Sequence, residues 1–205
     1  MISEVVQVKV FGDLACFTRP ELGTERVSYE VMTPSAARGI LEAIFWKPEI
    51  KWCVREIQVL SPVRRVGIVR NEISDSQRPG QRYVADRGRE DGGKRMQRHT
   101  LFLRDVSYFI KAQITTEQEN TVKYLDQFRR RVRKGQCFRQ PVFGMRECVA
   151  YFEPPDGSEM PLEDLSTDLG LMFGGYDYDK GPPEPRFFRA RLDGGILRVP
   201  EAVAS

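Results

Sequence analysis

The chain has 205 residues, of which 40% are hydrophobic and 30% are charged, and its formal net charge is +3. This length suits one large domain or two small ones with a buried core, and the sequence contains no long uncharged apolar run that could cross a membrane. Glu4 and Lys9 fall inside what would be the apolar part of a secretory signal. We therefore expect no signal peptide, no membrane partner and a cytoplasmic protein.

The cysteines are scattered and form no CxxC pair. They are Cys16, Cys53, Cys137 and Cys148. This usage indicates a reduced protein whose thiols are buried.

The first third of the chain predicts a strand, a helix and a second strand. Residues 6–10 alternate apolar and polar side chains, as a half-buried strand does. Thr33 and Pro34 suit the N-cap and first position of a helix, an apolar stripe follows them, and Pro48 ends the helix. Residues 52–60 form the second predicted strand.

The middle of the chain predicts a basic insertion and a long third strand. Residues 63–99 have no sustained period and hold ten Lys/Arg against five Asp/Glu, which is typical of a basic loop or an irregular hairpin. Residues 106–114 alternate strictly. On this strand Tyr108 and Phe109 point to opposite faces and one belongs to the core, so the pair is a weak candidate for an aromatic stacking surface.

The stretch KYLDQFRRRVRKGQ at 123–136 predicts an amphipathic helix with six basic residues and one acidic residue. Leu125, Phe128 and Val132 make an apolar seam, and basic residues occupy the opposite side. Gly135 is placed to end the helix. Such a helix packs by one face and presents the other to an anion.

The C-terminal part predicts further strands and an acidic surface. Residues 148–152 form a fourth strand, and Asp193-Gly194 between two apolar runs predicts a hairpin, so we expect a small second antiparallel sheet after about residue 154. We interpret residues 171–176 as a glycine turn between apolar contacts.

Residues 153–184 hold one lysine against nine acidic residues. This charge repels phosphate. We therefore expect the segment to avoid phosphate-bearing ligands and to dock a neighbouring protein, with Tyr176 and Tyr178 as contacts.

The order strand, helix, strand, strand, helix, strand predicts an α+β protein with a ferredoxin-like βαββαβ domain. We expect this domain to span 1–153, with the basic insertion at 63–99. A small C-terminal β-sheet region would span 154–205 and extend it as an antiparallel sheet.

No motif predicts a metal or a cofactor. His99 is the only histidine, no carboxylate cluster has metal-ligand spacing, and there is neither a dinucleotide-binding fingerprint nor a P-loop. The two basic segments suit a phosphate backbone instead. Charge alone therefore favours a nucleic acid as the partner.

Three stretches carry a family resemblance. They are residues 11–52, from FGDLACFTRP to PEIKW, then KYLDQFRRRVRKGQCFRQP at 123–141, and GMREC at 144–148. Together they resemble the CRISPR-associated family-five proteins of subtype I-C, within the repeat-associated mysterious protein superfamily.

The resemblance implies a ferredoxin-like domain with a C-terminal β-sheet extension. It also implies a metal-independent endoribonuclease that cuts precursor CRISPR RNA at the repeat hairpin and leaves a 2′,3′-cyclic phosphate. The protein would then keep the 5′ handle as a subunit of a type I-C surveillance complex with other effector subunits.

The resemblance also implies a cleavage site between the end of the first helix and the start of the second. The family's tyrosine, lysine and histidine positions read Phe45, Lys123 and Tyr124 here. Lys123 can stabilise charge on the phosphate, Tyr124 can donate a proton, and Phe45 can pack or support a stacked base. The candidate RNA-binding residues are Trp46, Lys47, Arg129, Arg130, Arg133, Lys134, Arg139 and Arg146.

Two other hypotheses stay open. In one, the protein is a non-catalytic structural subunit that holds the CRISPR RNA, which the missing histidine favours. In the other, the basic surface binds double-stranded DNA. The Lys123-Tyr124 pair and the family resemblance favour the endoribonuclease.

Overall fold

One nine-stranded sheet organises the chain, as seen in a computed structural model that describes residues 1–22, 25–73, 80, 95–118, 121–177 and 182–204. The strands are β1 (Val6–Ala15), β2 (Arg26–Val27), β3 (Ile50–Val59), β4 (Arg64–Ile73), β5 (Arg95–Thr116), β6 (Tyr151–Glu153), β7 (Thr167–Asp177), β8 (Glu184–Asp193) and β9 (Ile196–Arg198). The helices are α1 (Pro34–Ile44), α2 (Val122–Arg133) and the short α3 (Glu201–Ala204).

The main path through the sheet runs β6-β1-β5-β3-β9-β8-β7, and β2 and β4 also pair with β5. Every pair along this path is antiparallel, and the short β2–β5 pair is parallel. The prediction of an α+β protein built on antiparallel strands is thereby confirmed.

The two long helices cover one face of this sheet. On β1 the side chains of Val6, Val8 and Val10 are buried and alternate with more exposed polar ones, as predicted. On β3 the alternation shifts at a bulge between Val54 and Glu56, so inward-facing positions change parity along the strand. The apolar sides of α1 and α2 join the inward residues of β1, β3 and β5 in one hydrophobic core.

The basic insertion is a β-hairpin. β4 pairs along its whole length with the first half of β5, from Arg64 opposite Arg104 to Ile73 opposite Arg95. β1 pairs with residues 103–112 of β5, and β3 pairs with residues 108–116. Asp105, with φ of 53°, lies where the two halves meet. The rest of the predicted insertion, residues 74–79 and 81–94, lies outside the described residues.

The prediction of a separate second sheet was wrong. β9 pairs with β3 through Leu197 opposite Ile57, so the C-terminal strands extend the main sheet. The interpretation of residues 171–176 as a turn was also wrong, because they lie within β7. Two register shifts, at Asp168/Gly170 and at Phe173/Gly175, interrupt the two-residue period of β7. The sequence therefore lacks the regular alternation that would predict a strand.

Other expectations hold with small changes. α2 forms as predicted, and Gly135 follows it with a positive φ of 61°, a backbone conformation that favours glycine at the end of a helix. Tyr108 and Phe109 are both buried, at 2% and 5% exposure, so neither offers a stacking surface. None of the described helices is long and apolar enough to span a membrane.

The thiols follow the sequence prediction for three of the four cysteines. All four are free; Cys16, Cys53 and Cys148 are buried, and Cys137 is exposed. Burial raises the pKa of the Cys148 thiol to about 12, so this group stays protonated and unreactive at neutral pH.

The Trp52 side chain ties β3 to both helices. Its indole is 1% exposed, and Nε1 donates a 2.9 Å hydrogen bond to the carbonyl oxygen of Phe45, just after α1. The indole ring also packs on Phe128 of α2, with ring centroids 4.8 Å apart. One side chain therefore sets where α1 ends relative to α2.

Replacing Trp52 with phenylalanine should lower the free energy of unfolding by about 1–3 kcal/mol, because the buried Phe45 carbonyl loses its donor. Urea denaturation followed by circular dichroism measures this change. Trp46→Phe is the matched control, since Trp46 is 49% exposed and an exposed substitution usually shifts stability by about 0.5 kcal/mol or less. Equal midpoints for the two variants would contradict the role given to Trp52.

Candidate functional site

The end of α1 and the start of α2 meet, as the predicted cleavage site requires. Thr33 caps the start of α1 by accepting a hydrogen bond from the Ala36 N–H (3.2 Å), and Phe45 leaves the helix in an extended conformation. The Phe45 ring lies 6.4 Å from the Tyr124 ring, measured between centroids. Phe45 is only 2% exposed, which matches the packing role.

The hydroxyl of Tyr124 is engaged inside the protein. It donates a 3.1 Å hydrogen bond to Oε1 of Glu49, from the loop between α1 and β3. Burial raises the pKa of Tyr124, and the Glu49 carboxylate raises it further, because both disfavour a phenolate. Tyr124 therefore stays protonated at neutral pH and acts as a donor.

Lys123 precedes Tyr124 in the first turn of α2 and is exposed, whereas Tyr124 is buried at 6% exposure. Consecutive helical residues point in different directions. The helix therefore directs Tyr124 toward α1 and Lys123 toward solvent beside it.

Two residues at this junction escaped the sequence analysis. Glu49 lies 75 positions from Tyr124, and nothing local in the sequence links the two. Arg131 donates a 3.0 Å hydrogen bond to the carbonyl oxygen of Ile44, and its guanidinium lies 5.8 Å from the centre of the Phe45 ring. Arg131 lies seven residues after Tyr124, which places both on the same face of α2. This spacing in the sequence could have predicted that Arg131 lies near the junction.

The outer side of α2 carries the predicted cations. Arg130, Arg133 and Lys134 are exposed there. Arg129 instead bridges to Glu4 at 3.4 Å and to Asp126 at 3.9 Å, so its charge is partly offset. Exposed ion pairs of this kind contribute little to stability, so Arg129 can give up these partners for an anion. Arg130, Arg133 and Lys134 can bind an anion directly because they are exposed.

The remaining predicted RNA-binding residues lie around α1. Arg139 and Arg146 line a cleft of about 750 Å³ beside the helix, named here the arginine cleft. Trp46 lines a second cleft, of about 520 Å³, between α1 and β7, named here the α1–β7 cleft. Gly39 lines both clefts, so they adjoin across the helix. Lys47 is exposed in the loop after α1.

The structure thus places the predicted residues in three groups, at the junction, on the outer side of α2 and in the two clefts along α1, with Lys47 apart from them in the loop after α1. Among the described residues, no three or more His, Cys, Asp and Glu side chains are grouped so as to hold a metal ion. His99 is exposed on β5 opposite Val69, in the hairpin rather than at the junction.

Comparison with known proteins gives a family match over nearly the whole chain. Residues 5–200 match the family described as CRISPR-associated protein (Cas_Cas5). A relative from Mannheimia succiniciproducens, named CRISPR pre-crRNA endoribonuclease Cas5d, is 45% identical over 213 residues, covering 95% of this chain and 94% of that protein. A Thermus thermophilus protein of the same name is 43% identical over 216 residues, covering 95% and 91%.

Solved structures share the fold at lower identity. The crystal structure of a CRISPR-associated protein has a TM-score of 0.73 and 22% identity, covering all of this chain and 96% of that one. A functionally uncharacterized Streptococcus mutans protein has a TM-score of 0.72 and 21% identity, covering 100% and 97%. A chain of a CRISPR RNA-guided surveillance complex has a TM-score of 0.54 and 14% identity, covering 98% and 92%.

The family match spans the sheet, both long helices and the junction between them. With two relatives more than 40% identical over 95% of its length, the chain belongs to the Cas5 family of CRISPR-associated proteins.

Proposed function

We propose that the protein is an endoribonuclease that cuts precursor CRISPR RNA at the repeat hairpin and stays with the product as a subunit of a type I-C surveillance complex. The observation that carries this proposal is the identity of 43% to 45% with two proteins named CRISPR pre-crRNA endoribonuclease Cas5d. A chain of like fold in an RNA-guided surveillance complex supports the subunit role. A cytoplasmic location is part of this proposal.

In this proposal residues 1–153 are a ferredoxin-like RNA-processing domain, and residues 154–205 are a C-terminal β-sheet region. The strand order β6-β1-β5-β3, with α1 and α2 as the two crossovers, supports the assignment. The domain brings the end of α1 and the start of α2 together, and this is where we place the cleavage.

The cleavage needs no metal in this mechanism. A ribose 2′-oxygen attacks the neighbouring phosphorus, the bond from phosphorus to the 5′-oxygen breaks, and the products are a 2′,3′-cyclic phosphate and a 5′-hydroxyl. Lys123 stabilises the charge that grows on the phosphate oxygens. Arg131 is committed to α1 through Ile44, so it holds the junction together rather than meeting the phosphate.

Glu49 and Tyr124 share the proton transfers. The Glu49 carboxylate accepts the proton of the attacking 2′-hydroxyl, and the Tyr124 hydroxyl gives its proton to the leaving 5′-oxygen. The proton on Glu49 then passes to the Tyr124 oxygen along their 3.1 Å hydrogen bond, which restores both groups. The raised pKa of Tyr124 keeps that proton in place before the reaction.

The non-catalytic structural subunit remains the second candidate. The residue at position 45 supports this candidate, because the family resemblance implies a tyrosine there. Phe45 is buried and has no hydroxyl, so it cannot transfer a proton. A role in binding double-stranded DNA has weaker support, from exposed arginines on β4 such as Arg64 and Arg65.

Lys123→Ala should slow single-turnover cleavage of repeat RNA about a hundredfold or more in EDTA while changing RNA affinity little, because the lysine acts on charge that grows in the transition state. Arg198→Ala is the control, since it removes an exposed cation from β9 and should cut at the wild-type rate. This mechanism would be contradicted if the wild-type protein cleaved RNA only with added Mg²⁺, or if Lys123→Ala kept full activity in EDTA.

Glu49→Gln should slow cleavage about 10²-fold or more with affinity little changed, because an amide can still accept the Tyr124 hydrogen bond but cannot take up a proton at neutral pH. Glu117→Gln, which alters an exposed carboxylate after β5, is the matched control. A wild-type rate for Glu49→Gln would show that Glu49 only positions Tyr124.

Tyr124→Phe should also slow cleavage about 10²-fold, since it removes the acid and leaves the ring. Tyr124→His should preserve or raise activity and introduce a pH dependence between about 5 and 8. The measurement is the single-turnover rate across pH. Equal rates for Tyr124→Phe and wild type would make the tyrosine structural.

A further inference from the structure

The α1–β7 cleft presents two large aromatic side chains to solvent. Trp46, just after α1, and Tyr176, near the end of β7, both line it and are 49% and 47% exposed. Its volume of about 520 Å³ lies in the range typical of small-ligand sites. Exposed aromatic side chains grouped in one concave site indicate a binding surface.

Both aromatic residues are supported by neighbouring contacts. Trp46 directly follows Phe45, whose carbonyl oxygen is held by the Trp52 indole. The Tyr176 ring lies 5.1 Å from the Phe173 ring, and that ring lies 5.7 Å from Phe187, between centroids. Groups ordered before binding lose less conformational entropy when a ligand stacks on them.

The cleft also carries cations that are available to an anion. Arg38 and Lys51 line it, and neither forms an ion pair with another residue that the structure describes. Arg186, in contrast, pairs with Asp177 and donates to the carbonyl oxygen of Ala202. Glu42 also lines the cleft, and its carboxylate can accept a hydrogen bond from a base or a ribose hydroxyl.

The glycine pair in β7 has a structural reason here. A Cβ at Gly174 would overlap the Val203 side chain of α3. A Cβ at Gly175 would lie 2.6 Å from Nη2 of Arg38, too close for two non-bonded atoms. The absence of a side chain at Gly175 therefore lets the Arg38 guanidinium lie close to the backbone of β7.

Two acidic residues of β7 are paired with arginines of the neighbouring strand. Asp168 pairs with Arg189 at 2.6 Å, and Asp177 pairs with Arg186. Both arginines come from β8, the neighbour of β7 in the sheet. The sequence-based expectation that this segment repels phosphate rested on counting charges along the chain, and the pairing of β7 with β8 removes that reason around Tyr176.

We propose that the α1–β7 cleft is a subsite for an unpaired nucleotide of RNA. The base stacks against both Trp46 and Tyr176, and Arg38 and Lys51 bind its phosphate. The subsite rests on the proposed function and extends it, because Trp46 follows Phe45 directly and so adjoins the cleavage junction. In this arrangement Tyr176 contacts RNA rather than a neighbouring protein subunit; Tyr178 lies outside the described residues.

The test uses an unpaired oligoadenylate RNA of about six nucleotides, a length within the site sizes of single-strand binders. The chain has two tryptophans, and Trp52 is 1% exposed, so any quenching by the RNA reports on Trp46. We expect the RNA to quench wild-type fluorescence and to leave Trp46→Phe, which keeps only Trp52, almost unchanged.

Affinity for the same RNA, measured by anisotropy, should fall about tenfold or more in Trp46→Ala and in Tyr176→Ala, because each removes a stacking surface. Tyr176→Phe keeps the ring and should bind like wild type. Tyr151→Ala is the matched control, since Tyr151 is 53% exposed on β6, away from the cleft. Both target side chains are half exposed, so their loss should leave the fold intact.

The outcomes separate the subsite from the cleavage activity. Absence of Trp46 quenching, or equal affinities for Tyr176→Ala and Tyr151→Ala, would overturn the subsite even if wild-type protein cuts repeat RNA. Quenching together with the tenfold losses would support the subsite even if the repeat RNA stays uncut, a result that would overturn the endoribonuclease proposal alone.

Discussion

The hydrogen bond from the Trp52 indole to the Phe45 carbonyl is the constraint on which the site depends. A helix leaves its last carbonyl groups without partners within the helix, and here a side chain from the adjoining strand supplies a donor near the end of α1. Because the same indole packs on Phe128, it sets the distance between the two helices. The ring contact between Phe45 and Tyr124, and the position of Lys123 beside it, follow from that distance.

Polar and charged contacts from Arg131 and Glu49 also stabilise the junction between α1 and α2. Arg131 places a cation at the C-terminal end of α1, where the helix dipole is negative, and its guanidinium also lies over the Phe45 ring. Glu49 holds the Tyr124 hydroxyl from the other side. These groups fix the backbone and the tyrosine and leave Lys123 on the solvent side, an arrangement suited to stabilising charge on a phosphate that approaches from outside.

Strand pairing decides where charge is available. β8 brings Arg186 and Arg189 to Asp177 and Asp168 of β7, so the negative charge of β7 is offset where these strands pair. Among the described residues, exposed cations lie on the outer side of α2 and along both clefts of α1. The charge that a ligand meets near β7 therefore depends on the sheet register as well as on local composition.

Local patterns determined much of this protein. The strict alternation of β1 and β5, the cap at Thr33, the apolar seam of α2 and the hairpin at Asp193-Gly194 each rest on residues a few positions apart, and each formed where it was predicted. Motifs within 11–52 and 123–148 also sufficed to identify the family, because they are continuous in the chain.

Only the tertiary structure decided the rest. Glu49 and Tyr124 are 75 residues apart, and Ile44 and Arg131 are 87 apart; no local spacing encodes such pairs. β7 escaped prediction because its bulges break the two-residue period. The pairing of β9 with β3, and the meeting of Trp46 with Tyr176 in one cleft, arise when the sheet folds back on α1. These features depend on packing between segments that are distant in the chain, and the periodicity of the sequence carries no information about such packing.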